Sequence, residues 1–473
     1  MNKLIVWISI ILFIISFSWF SIRRYQTLNS YYYDLGIMNQ VVYNTSQGRF
    51  LEMSNPDLKR NVSRLAIHFD PILAVFAPFY KIYPGPEVLL IGQAVILGLG
   101  AWIIYLLAEK KLKDKFTVLI FSLTYLLYFP VQRVVLFDFH GVALATTFLL
   151  ASIYFQETKK WHWFFIFIFL SLLTKEHIGL VVFIYGIYLF IIKKEKKFGL
   201  ITGFLGLGFF ISTVYFIIPY FRGEAHFASN YFVDIKLRLK SIILDGFPYV
   251  KSLILPNFYA LFSPLTLLIS LPEWAINILS INNNQRSVFF HYNSVIVPFV
   301  SYSSILGYRN FDNFVKNKKV KSLILILFIL LTLKSAYLYN PIPYFVKNPV
   351  KYKELNPITK KSLKIWIEKL KDDKIRVSTT PKLAPFFTSR RFYHNFLFDS
   401  AYASMGLTDV DIIETIDEYE TADYVIIYRP EIGNLDKISL PVKFYTRLKD
   451  DRNFQIVYSD DRNEKSIEVY KRI

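Results

Sequence analysis

Apolar residues in this chain gather into long runs, and several reach the length of about 20 residues that crosses a hydrocarbon core. The first runs from Leu4 to Phe20 and ends in Trp19, Phe20, Arg23 and Arg24, an interfacial anchor. No small-residue cleavage site follows it, so it reads as an uncleaved first helix rather than a signal peptide. Residues 23–85 are interrupted by Asp, Asn, Gln and Arg and read as a long loop with interfacial amphipathic helices. Further spans are expected at 86–108, 116–130, 141–155, 161–174, 178–192 and 198–218, with a polar stretch at 219–248. Two short spans, 249–262 and 264–281, hinge near Ser263-Pro264; a re-entrant loop would satisfy the same parity. Spans at 291–308 and 321–340 follow, for a total of about eleven.

Past Pro341 and Pro343 the runs of spanning length stop. The segment 358–370 has amphipathic helical spacing. IRVSTT, RRFYHN and DYVIIY read as strands, and FQIVYS and SIEVYK flank DDRNEK as a hairpin. The pattern divides the chain into a transmembrane domain, residues 1–340, and a small α/β domain, residues 345–473.

Lysine placement orients the bundle. About fifteen Lys and Arg lie in segments 110–115, 159–160, 193–197 and 309–321, whereas Arg133, Lys175 and Arg286 are nearly alone in the short loops opposite. The rich set belongs in the cytoplasm, with the N-terminus. The C-terminal domain and the first loop then lie outside, since long loops translocate largely regardless of charge.

Composition sharpens this picture. Of 473 residues, 53% are hydrophobic, 18% aromatic and only 19% charged, against about 25% charged in an average soluble domain. Mean hydropathy is +0.34. A soluble enzyme, a disordered chain and a secreted disulfide scaffold are excluded. The net charge of +19 reflects lysine-rich loops and attraction to anionic membrane lipids rather than nucleic acid. With no cysteine, disulfides, thiolate metal sites and cysteine nucleophiles are excluded.

This topology sends Asp34, His68, Asp70, Asp138, His140, Lys175, Glu176, His177, His226 and His291 to outer loops or outer span ends. Ionisable groups at membrane depth are expensive, so such a set points to function. Each member also has a plainer role. Asp34 suits capping of a helix starting at Leu35, His68 and Asp70 a turn before Pro71, and Asp138 and His140 an interfacial loop. Lys175-Glu176 suits a solvated ion pair, and His226 and His291 satisfied interfacial histidines. His-x-Asp (68–70) and Asp-x-His (138–140) would suit Mn, Zn or Fe. HExxH, P-loop, GxGxxG and GxSxG patterns are absent.

The stretches YYYDLGIMNQVVYNTSQGRF, HFDPILAVFAPFYKIYP, LFDFHGVALA, TKEHIGLVVFIYGIYL, LISLPEWAINILS and HYNSVIVPF span about residues 30–310. Together with IRVSTTPKLAPFFTSRR and ADYVIIY they resemble a family of bacterial and archaeal polytopic membrane proteins defined by a domain of unknown function. That family is placed in the GT-C glycosyltransferase superfamily, whose members use polyprenyl-phosphate sugars. The resemblance implies a GT-C-like helical membrane fold with a small extracytoplasmic α/β domain. It also implies glycosyl transfer from a lipid-linked donor on the outer face, the acceptor being open.

In that superfamily an acidic residue soon after the first span serves as general base or metal ligand. Asp34 occupies that place, with Leu35 where many members carry a second acid, and Asp138 resembles a second acidic position. The resemblance thus points to Asp34 as base and to Asp138, and the need for a base within hydrogen-bond reach of the acceptor adds His68. Lys175, Arg64, Arg133 or Arg222 would serve the donor phosphate, with Glu176 and His177 in the same binding set. Asp70 and His140 would hold a divalent cation. The rivals are a transporter or lipid-binding protein, which predicts mid-span charges and repeat symmetry, and an envelope scaffold presenting the outer domain. The charges sit at span ends and no internal repeat is visible.

Overall fold

The computed structural model describes residues 1–55, 60–226, 232–342, 346–396, 419–436, 439–460 and 467–473. The expected strand runs are described except for Ser466, which with most of DDRNEK lies outside the described residues.

Five described helices are long and apolar enough to cross a membrane: Asn2–Gln26, Glu87–Lys111, Lys115–Leu136, Lys196–Arg222 and Lys318–Tyr339. Shorter apolar helices cover Trp161–Leu172, Ile178–Ile191 and Pro264–Leu279. Helices at Gly141–Glu157 and Val297–Phe314 match two further expected spans. The Lys115–Leu136 span is interrupted at Tyr128, which is extended, with Pro130 opening the second half. Pro cannot donate a helical hydrogen bond and is tolerated only in a first turn. The hinge expected at Ser263-Pro264 is present: Ser263 has φ −140° and ψ 56°. Within the stretch read as polar, Leu239–Ile254 is helical. Its Ile243, Leu244 and Phe247 are exposed, as an interfacial helix would present them.

By packing, the chain forms two compact units. The first comprises Met1–Ser21, Leu65–Ile72 and Leu90–Lys351, and the second Ile22–Arg64, Leu73–Leu89 and Tyr352–Ile473. Most of the first loop thus packs with the C-terminal segment rather than with the helices.

In the first unit, the Ile178–Ile191 and Lys196–Ser212 helices approach almost backbone to backbone. A Cβ on Gly186 would lie 2.3 Å from the Gly203 amide nitrogen. Small residues permit this approach, and close packing replaces the hydrophobic drive that lipid removes. At the far end of Gly141–Glu157, Glu157 accepts from Lys193 at 2.5 Å, from Tyr302 at 2.6 Å and from Lys111.

The second unit holds a five-stranded sheet. Its strands, after a two-stranded hairpin β1 (Glu52–Asn55) and β2 (Arg60–Ser63), are β3 (Val377–Thr379), β4 (Tyr393–Asn395), β5 (Tyr424–Tyr428), β6 (Phe454–Ser459) and β7 (Ile467–Arg472). The order is β4-β3-β5-β7-β6. Strand β3 runs parallel to β4 and β5, and β7 runs antiparallel to β5 and β6. The amphipathic helix expected at 358–370 spans Pro357–Lys369, capped by Asn356. The first loop is fastened to this unit through buried polar groups. Asn39 donates to the Thr388 hydroxyl at 2.9 Å, and Tyr80 donates to Asn39 at 2.8 Å. Tyr32 donates to the Ser54 carbonyl at 2.8 Å and its ring packs against Tyr393. Buried polar groups that find partners fix one arrangement, because leaving any unpaired costs about 1–3 kcal/mol.

The helix seam yields a matched test. Gly186→Ala should lower the melting temperature of the purified protein, the overpacking costing about 1–3 kcal/mol. Gly208→Ala should leave it unchanged or raise it, because a Cβ there meets nothing within 4 Å and alanine is favoured over glycine inside a helix. Equal melting of the two variants would refute the seam.

Candidate functional site

Three loops of the first unit meet around Gly141. A Cβ added there would lie 3.2 Å from Ile72 Cγ2, 3.5 Å from the Thr174 carbonyl oxygen and 3.6 Å from Asp70 Cβ. HFDP, FDFHG and TKEH, separated in sequence, are therefore neighbours packed closely around Gly141. The Ile72 amide donates to the Leu173 carbonyl at 3.0 Å. Buried Gln93 fixes the second loop: its Nε2 donates to the Val134 carbonyl and its Oε1 accepts from the His140 amide, each at 3.0 Å.

This junction sets a carboxylate between two imidazoles. Glu176 Oε1 lies 3.0 Å from His68 Nδ1 and 3.4 Å from His226 Nε2. Glu176 Oε2 accepts from the Phe69 amide at 3.0 Å, so the carboxylate is held by both oxygens. Burial opposes ionisation of Glu176. The charge on His68, hydrogen bonds from His226 and His68, and the Lys175 charge nevertheless hold its pKa well below the usual carboxylate range.

Two more pairs belong to the same unit. His177 Nε2 lies 3.0 Å from Glu273 Oε2, and both side chains are largely buried. The His140 and His291 rings stack at 3.7 Å between centroids, with 17° between planes, and Phe137 stacks on His140. His140 Nδ1 lies 2.9 Å from the Asp138 carbonyl. Burial drives the His291 imidazole well below the usual histidine range, and the charges of His140, Lys175, His68 and His177 add to the shift. His291 thus senses four of the side chains that the sequence singled out. A neutral stacked imidazole amid this much positive charge can act as an acceptor or ligand.

Other singled-out residues fall as follows. Asp70 and Asp138 are buried, and neither Asp70 nor His140 belongs to the His68–Glu176–His226 group. Lys175 is half-buried and forms no ion pair among the described residues. Arg133 donates to the Tyr339 carbonyl at 2.5 Å and covers the Phe289 ring. Arg222 pairs with Glu224 at 2.7 Å.

Asp34 and buried Arg64 belong to the second unit. Asp34 lies inside a single π-helical turn, Tyr32–Gly36, at neither cap position. Such turns recur at functional sites. Sequence reasoning passed over Glu273 and Gln93. Glu273 stands in LPEWAINIL, where one acid in an apolar helix was the available signal.

The family model described as "Predicted membrane protein (DUF2079)" matches residues 24–437. The chain belongs to this family. No curated protein matches the sequence. Among solved structures, ArnT from Cupriavidus metallidurans bound to undecaprenyl phosphate is similar with a TM-score of 0.52 and 9% identity, covering 97% of each chain. Its apo structure is similar with a TM-score of 0.50 and 10% identity, covering 92% of this chain and 93% of that one. The likeness is one of fold. The DUF2079 chain is a polytopic helical membrane protein of GT-C-like architecture with a small C-terminal α/β domain.

The electrostatics of Glu176 give a testable pH dependence. Its folded-state pKa lies below the ordinary value of 4.5. Its stabilising contribution is therefore complete above that pH and fades as pH falls through the depressed value. Glu176→Gln should cost about 1–3 kcal/mol at neutral pH. In thermal melts, the gap to wild type should narrow only under acid conditions. A gap that stays constant into strong acid would contradict this.

Proposed function

We propose that this protein is a membrane glycosyltransferase that moves a sugar from a polyprenyl-phosphate donor to an acceptor on the extracytoplasmic face. The observation that carries this reading is the convergence of costly polar groups at one set of helix ends: Glu176, His68, His226, His140, His291 and the half-buried Lys175. It does so in a fold shared with ArnT, whose structure contains undecaprenyl phosphate. The helix Gly141–Glu157 leads from this region to the Lys111–Glu157–Lys193 cluster. Those lysines belong to the set read as cytoplasmic, which supports an outward-facing site and, by span parity, an external C-terminal domain.

In the proposed reaction the acceptor hydroxyl oxygen attacks the anomeric carbon. The bond from that carbon to the phosphate oxygen breaks, and polyprenyl phosphate leaves. The hydroxyl proton passes to a carboxylate or imidazole base, a role we give to Asp34 of the second unit, His68 and Asp138 of the first unit being separate candidates for it. Lys175 supplies charge to the donor phosphate, as do Arg64 and Arg133 in the wider set, and Glu176 and His177 orient substrate. An ammonium that forms no ion pair among the described residues is suited to an incoming phosphate.

The reading is tested with the purified chain in liposomes and a panel of polyprenyl-phosphate sugars. Wild type should release polyprenyl phosphate. Asp34→Asn should slow turnover about 10²–10⁴-fold, the usual cost of a lost general base, with folding intact. Lys175→Ala should raise the donor KM more than it lowers kcat. Full activity of Asp34→Asn would remove Asp34 as base. No turnover with any donor, together with transport of a solute, would replace the reading with a transporter.

A further inference from the structure

We propose that His68, Glu176 and His226 form a binding site for one divalent cation of the zinc class. The inference concerns these three side chains alone and holds whether or not the chain transfers sugar.

The geometry is the first argument. Zinc bonds to imidazole nitrogen and carboxylate oxygen are about 2.0–2.1 Å, and a tetrahedral site with such bonds has ligand-to-ligand edges of about 3.3 Å. Here Glu176 Oε1 lies 3.0 Å from His68 Nδ1 and 3.4 Å from His226 Nε2. The three ligand atoms all lie within 4.8 Å of one another. A cation can therefore be seated by small side-chain rotations and no backbone shift.

The second argument is the donor set. Two imidazoles and one carboxylate are nitrogen-rich and suit zinc, cobalt or a similar first-row ion rather than magnesium or calcium, which prefer oxygen. Three protein ligands leave a fourth position open for a water or a substrate oxygen, as catalytic zinc sites do.

The third argument is preorganisation. Glu176 Oε2 is held by the Phe69 amide at 3.0 Å, which leaves Oε1 to face both rings. Such supporting hydrogen bonds orient metal ligands and tune their affinity. His68 and Glu176 sit on the two loops that Gly141 draws together. Burial fits as well, since Glu176 and His226 are buried and His68 is partly so.

In a glycosyl-transfer reaction the open position would take an oxygen of the donor phosphate, beside Lys175. The inference, however, is tested by binding, so its failure is separate from failure of the glycosyl-transfer reading. The full-length protein in detergent, stripped with a chelator, is titrated with Co²⁺ and followed by visible absorption. Bound Zn²⁺ is counted by elemental analysis. Wild type should take up one equivalent per chain and show histidine-nitrogen ligation in the magnetic spectrum of the Co²⁺ form. His162→Ala, which alters an exposed histidine, should match wild type. Glu176→Gln and His226→Ala should bind at least about 10-fold more weakly, the scale of loss at perturbed metal sites. The nitrogen signature is read on wild type, so misfolding of a variant does not decide the matter. Absence of stoichiometric uptake by wild type, or uptake without histidine ligation, would overturn the proposal and leave the group a hydrogen-bonded triad. Unchanged affinity in Glu176→Gln would overturn it as well.

Discussion

Charge cannot lie unpartnered in hydrocarbon, and that constraint organises the helical unit. An isolated ion at membrane depth costs several kcal/mol or more, so ionisable groups collect where helices end. The helix Gly141–Glu157 makes this visible, because its 17 residues span about 25 Å, close to the hydrocarbon thickness of about 30 Å. At one end Glu157 is enclosed by Lys111, Lys193 and Tyr302. At the other, Gly141 draws together the loops that carry His68, Asp70, His140 and Glu176. Between the ends its polar side chains carry no charge, and Thr146 donates to the Ser294 carbonyl at 2.7 Å and Thr147 to the Ile96 carbonyl at 2.7 Å.

The two ends are built differently. Around Glu157 every close neighbour is a donor, so one carboxylate is saturated and the arrangement is an anchor. Around Glu176 the neighbours are imidazoles, which can give up a proton or accept a metal. Lys175 adds positive charge with no ion-pair partner among the described residues. The stacked His140 and His291 add two more imidazoles. Groups that are buried, ordered and able to change partners are what binding of an anionic headgroup or a reacting sugar requires.

Much of the fold was legible in the sequence because it depends on local runs. The long apolar segments became helices close to their expected bounds, and the hydrophobic strand runs β5, β6 and β7 paired antiparallel. Ser263-Pro264 marked a hinge because Pro restricts the residue before it. The hairpin β1–β2 was not legible: EMSN and RNVS carry little of the β-branched or aromatic content that announces a strand. The helix Leu239–Ile254 was hidden by its lysines and by Pro248. The site was legible only as a list of residues. Metal-like spacing drew attention to Asp70 and His140, which are close in sequence to their partners. Another group of ligand-type side chains comes from positions 68, 176 and 226, a set that only tertiary packing brings together. Glu273 was illegible for the same reason, since its partner His177 lies in another loop.

The central claim is that this fold holds a lipid whose phosphate is recognised as such. It is tested most directly by native mass spectrometry of the purified protein with polyprenyl phosphate and with the free polyprenol of equal chain length. The account expects a one-to-one complex with the phosphate lipid that persists where the polyprenol complex is lost. It also expects the preference to weaken in Lys175→Ala. Equal retention of the two lipids by wild type, or retention of neither, would contradict it.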